Sequence, residues 1–152
     1  ESSEIQATIR RVLERNRFAV LATQRNGQPH ASLIAFMPLE GLRFLAFATY
    51  RDTLKYKSIR ENQRVAILIE DREGDDGRSV QRRVVTAVGE AIKAQEEAKQ
   101  AHSVADLAGH PERERFLSSP DCEFVRVAVY TYQVVSSIAD VRWYTLRESA
   151  AG

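Results

Sequence analysis

The chain has 152 residues, 43% of them hydrophobic and 28% charged, with a net charge of +1. That length suits one domain spanning residues 1–152 and is short for two, and the near-neutral charge supplies no global field that would draw in nucleic acid or a membrane surface. The single cysteine, Cys122, excludes an intramolecular disulfide, and no apolar run approaches the ~20 residues of a bilayer span.

In chain order, residues 4–16 place Ile5, Ile9, Val12 and Leu13 at helical spacing with charges on the other face, which predicts a short amphipathic helix. FAVLAT (18–23) and PHASLIAF (29–36) flank Asn26-Gly27, a pair suited to the positive dihedrals of a tight turn, and predict a β-hairpin. LRFLAFAT (42–49) follows Glu40-Gly41 as a third strand. A helix is expected from about Thr53, burying Leu54, Tyr56 and Ile59. RVAILIE (64–70) reads as a strand, REGDDGRS (72–79) as a polar loop, and RRVVTAVGEAI (82–92) as a strand with Gly89 at a bulge or close approach. Residues 95–108 predict a helix ended by Gly109, and residues 123–138 one long or two short strands. Many strands, Asn/Gly turns and few helices imply a mainly β fold, a small barrel or half-open sheet with helices on its outside or ends.

The stretch ATYRDTLKYKSIRENQRV (48–65) is the richest in candidate chemistry. A helix beginning near Thr53 offers free backbone N–H groups and the positive end of its dipole, which together suit a phosphate. Thr49, the Thr53 hydroxyl and the Lys55 ammonium would converge there, with Arg51 or Lys57 as a second cation. Asp52 would oppose an anion unless it caps the helix with its side chain turned away. The alternative is that these bases form the solvated face of a short helix.

The succession FAVLAT, NGQPHASLIAF, LRFLAFAT, Thr53-Leu54-Lys55 opening a helix, ENQRVAILI and VTAVGEA resembles the flavin-binding split-barrel family that includes pyridoxamine 5'-phosphate oxidase, over about residues 14–140. The resemblance implies a six-stranded antiparallel split β-barrel with short flanking helices. It also implies a homodimer binding FMN in clefts at the subunit interface. Ser32, Leu33, Ile34 and Ala35 would line the flavin ring largely through backbone groups. Ala48 and Thr49 would lie near the ribityl chain and phosphate, and Thr53, Leu54 and Lys55 would hold the phosphate. A deazaflavin or haem is the alternative cofactor. The chain departs from the oxidase at its end, where WYTLRESAAG lacks the Arg-Leu-His stretch that grips the vitamin phosphate, so vitamin oxidation is not expected. Neutral ASLIAF replaces the more basic second strand of the family, and Arg83 or Val84 stands where a polar side chain often meets the ring.

The remaining residues carry less. His30, beside Pro29, is either a proton donor in the flavin cleft or a structural strand residue, and His102 and His110 match no common metal spacing, so no metal site is expected. A histidine ligand to haem stays open. Cys122 reads as a small buried hydrophobe; Trp143 and Tyr144 either close the cleft from a neighbouring subunit or seal a core or dimer contact. Two function classes follow: an FMN-dependent oxidoreductase acting on a small substrate, and a flavin or haem carrier or sensor without turnover. No nucleic-acid or membrane partner is expected, no signal-peptide pattern is visible, and the cytoplasm is the expected compartment.

Overall fold

The structure, a computed structural model, describes residues 2–71, 83–93, 118–137 and 139–147. The expected polar loop at 72–79, the helix at 95–108 with its Gly109 stop, His102 and His110 lie outside these residues. In order come α1 (Ser2–Arg15), β1 (Phe18–Arg25), β2 (Gln28–Leu39), β3 (Phe44–Tyr50), α2 (Leu54–Glu61), β4 (Arg64–Glu70), β5 (Val84–Lys93), β6 (Cys122–Ser137) and β7 (Asp140–Thr145).

Every strand pairing is antiparallel. The sheet order is β3-β2-β1-β4-β5-β6-β7, and an additional β3–β6 pairing closes the first six strands into a ring. The expected split barrel is therefore present, with one strand more than the six expected. β6 makes this possible by its length. Its Cys122–Ala128 half pairs with β3, and its Thr131–Ser137 half pairs with β7, so one edge of β6 closes the ring and then carries the seventh strand.

The alternation of side chains fills the interior. In β4 Val65, Ile67 and Ile69 are buried and the intervening Ala66 and Leu68 are not. α1 presents Ile9, Val12 and Leu13 to the same core, and α2 adds Ile59. Tyr132, fully buried, donates its hydroxyl to Leu42 O at 2.7 Å, and burial pushes its phenol far above the ordinary range.

Two turn readings hold. Asn26 (φ 52°) and Gly27 (φ 79°) both take the left-handed conformation that joins β1 to β2. At Gly89 a Cβ would meet Ala128 O at 2.2 Å, and the β5–β6 register shifts between Val88 and Gly89 so that Tyr130 is the extra residue of a bulge. Two boundaries differ from expectation. β2 runs on through Pro38 to Leu39, and residues 140–145, not anticipated as a strand, form β7.

Candidate functional site

The site begins where β2 and β3 separate. Those strands pair only from Phe36↔Phe47 to Leu39↔Phe44, whereas β2 pairs with β1 along its whole first part, Gln28 to Ala35. Phe36 N donates toward β1, to Arg17 O at 3.0 Å. Backbone groups alternate between the two edges of a strand, so those of Ala31, Leu33 and Ala35 point the other way, to the edge that β3 has left. Lys55 at the start of α2 meets that edge: its Nζ donates to Leu33 O at 3.4 Å. Partial desolvation holds the Lys55 ammonium below the ordinary lysine range.

Thr53 is the N-cap of α2, with its hydroxyl accepting from Tyr56 N at 3.3 Å and donating to Tyr50 O at 2.8 Å. Asp52 is exposed and is not the cap, a correction to the expectation that it might take that place. With the Tyr56 amide satisfied by the cap, the Leu54 and Lys55 amides are the first-turn donors left to face outward. Thr49 supports this arrangement from behind: it is 2% exposed, and its hydroxyl lies 2.9 Å from that of Thr53. The structure thus brings Leu33, Thr49, Thr53 and Lys55 to one point. Ser32, Ile34 and Ala35 follow the same strand, Ala48 precedes Thr49 on β3, and the Leu54 side chain projects outward, exposed, where sequence spacing led us to expect burial.

Of the two candidate second cations, Arg51 is committed elsewhere. Its Nε donates to Glu123 Oε1 at 2.6 Å and its Nη2 to Pro120 O at 2.8 Å, and Glu123 pushes the arginine further up in pKa. Lys57 is exposed on α2. His30 is half-buried on the face of β2 that carries Ile34 and Phe36 inward, opposite Thr23, so among the described residues no histidine stands beside Lys55. The described residues hold no group of three or more His, Cys, Asp or Glu able to bind a metal. None of the described helices is long and apolar enough to cross a membrane.

A second feature flanks the site, and sequence reasoning did not find it as a surface. Phe18, Val20, Leu33, Leu68 and Val88 project from the outer face of the ring with 36–65% of their surface exposed. Val20 lies opposite Leu33 on one side and Leu68 on the other, and Ala66 opposite Val88, so the patch is continuous across four strands. An antiparallel sheet with water on one face normally shows polar residues there. The signal was available in FAVLA and AILI, which are apolar at every position.

The profile of the family described as pyridoxamine 5'-phosphate oxidase matches residues 5–133, most of the chain. The chain belongs to that family. No curated protein matches it. Among solved structures, it is similar to a heme binding protein from Mycobacterium smegmatis (TM-score 0.79, 17% identity), covering 95% of this chain and 58% of that one. General Stress Protein 26 from Bacillus anthracis str. Sterne is similar with a TM-score of 0.71 and 19% identity, over 94% of this chain and 99% of its own. A FAD-binding protein from Mesorhizobium loti follows with a TM-score of 0.64 and 18% identity, over 85% of this chain and 89% of its own. At such identities these likenesses speak for the fold, and it is the family match that carries membership.

Proposed function

We propose that this family member binds FMN at the gap between β2 and β3 and acts as a flavin-dependent oxidoreductase on a small substrate. The observation that carries the proposal is the meeting of Lys55 with the open edge of β2 at Leu33 O, beside the helix start capped by Thr53. The residues fit the group. A planar ring with amide-like edges suits the β2 edge at Ala31, Leu33 and Ala35, which no neighbouring strand pairs, and a phosphate suits the Leu54 and Lys55 amides, the positive end of α2 and the Lys55 ammonium. When bound, flavin supplies hydride or electron transfer. The chain's own part is to hold and orient: β2 fixes the ring's edge, Lys55 the phosphate, and the Thr49–Thr53 pair the helix start.

The homodimer belongs to the same proposal. The apolar outer face at Phe18, Val20, Leu33 and Leu68 reaches the ring site through Leu33, and a second copy covering it would turn an open groove into a cleft. One fold relative is named for heme and another for FAD. Flavin is favoured here because the Lys55 ammonium beside a helix start suits a single phosphate arm, whereas haem carries two separate carboxylates.

The visible spectrum of the purified protein, before and after addition of FMN and a reduced nicotinamide nucleotide, tests the reading. Retained flavin bands that bleach with the donor and return with an electron acceptor are expected. Tight flavin that stays oxidised against a broad donor panel would leave a carrier; a Soret band would overturn the cofactor.

A further inference from the structure

On the far side of α2 lies a cleft of about 500 Å³ that the proposed cofactor site does not use. Lys55 and Arg60 are five residues apart, which turns them about 140° around the helix axis, so the two sites face different directions. The floor of the cleft is apolar, made by Ile59, Ala91, Phe124 and Val125, all buried. Its rim carries Tyr56, Arg60 and Gln63, spaced so that the first two stand one helical turn apart and the third just beyond. Arg51 and Glu123 also line it, but their charges compensate each other at 2.6 Å. Among the described residues, Arg60 makes no ion pair and the side chains of Tyr56 and Gln63 accept or donate no hydrogen bond. Polar groups make up most of the exposed lining and stand over these buried apolar side chains, and a concave cleft with convergent polar groups is where a small polar ligand binds.

We propose that this cleft binds a small aromatic oxyanion, a flat ring bearing one carboxylate or phosphate. The ring would lie on the apolar floor against Tyr56, and the anion would take the Arg60 guanidinium and the Gln63 amide. A net cationic rim disfavours cations, and a volume of about 500 Å³ suits a small ring system. This site is independent of the flavin reading.

The test is an NMR titration of the whole protein with phenyl phosphate, benzoate and, as a neutral control, benzamide. Saturable shifts at Arg60, Gln63 and Ile92, which also lines the cleft, are expected with both anions, with benzamide at least about tenfold weaker. Arg60→Gln should lower anion affinity about tenfold or more, the scale of one charge-assisted contact, while its thermal melt matches the wild type because Arg60 is exposed. Lys55→Ala should leave the titration unchanged within about twofold. Signals at Arg60 and Gln63 that do not move, that move only while Lys55 is present, or that respond equally to benzamide would overturn the proposal.

Discussion

Lys55 combines a structural contact with an unusual electrostatic state. Its ammonium is partly desolvated and therefore deprotonates more readily than an exposed lysine, yet it donates to a neutral carbonyl and no carboxylate compensates it among the described contacts. A phosphate would supply the missing charge and raise the lysine's pKa on binding. By linkage, that contribution is fully present below the pKa of the free protein and is lost as pH rises through that of the complex. FMN affinity should therefore fall on the alkaline side, starting at lower pH than an ordinary lysine would dictate, while riboflavin affinity stays level until the flavin ring itself titrates. Fluorescence titrations across pH check this, with Lys55→Ala expected to remove the lysine-dependent decline. Gly89 gives a stability prediction at the same scale. Its added Cβ would press on backbone, Ala128 O at 2.2 Å and Ala128 C at 2.9 Å, which a flexible side chain cannot relieve. Gly89→Ala should cost about 1–3 kcal/mol in urea unfolding.

Among the elements, legibility followed locality. The β1–β2 hairpin was readable because Asn26-Gly27 encodes its own turn, and Gly89 because a glycine inside a strand signals a close approach. The start of α2 near Thr53 was readable, but its cap was not: Asp52 was the expected cap, and it is the Thr53 hydroxyl that accepts from Tyr56 N. What stayed hidden depends on distant partners. β2 extends through Pro38 because the strand edge that a Pro38 N–H would have faced lies beyond the start of β1, so the missing donor costs no ladder bond. β7 has no apolar run; it becomes a strand by pairing with β6, with Tyr144 turned toward the core. The fate of Arg51 was equally invisible, since Glu123 lies 72 positions away. The outer faces of β1, β2 and β4 carry the element-level prediction. Leu68→Lys places a charge in the middle of the apolar patch opposite Val20, at a position already 41% exposed. The monomer fold should change by little more than about 0.5 kcal/mol. Sedimentation velocity should show wild type as two-chain particles and Leu68→Lys as single chains at the same micromolar concentration; single-chain wild type with flavin bound would count against the proposed dimer.

For the whole molecule, the ring of six strands positions a gap, and the gap is where the chemistry is proposed to sit. β6 is long enough to serve β3 with one half and β7 with the other, and β2 and β3 are paired only on one side of Phe36↔Phe47, leaving β2 before Phe36 and β3 after Phe47 apart. Family membership explains the frame, and the basic stretch after β3 separates into three fates within it. Arg51 braces the entry to β6, Lys55 meets the open edge of β2, and Arg60 lines the opposite cleft. The central claim is that Lys55 and the helix start hold a flavin phosphate. Titrating FMN and riboflavin into wild type and Lys55→Ala by flavin fluorescence tests it most directly. Loss of one charge-assisted contact of about 1.5–3 kcal/mol should weaken FMN roughly ten- to a hundredfold and leave riboflavin almost unchanged; equal FMN affinity in the two proteins would contradict the account.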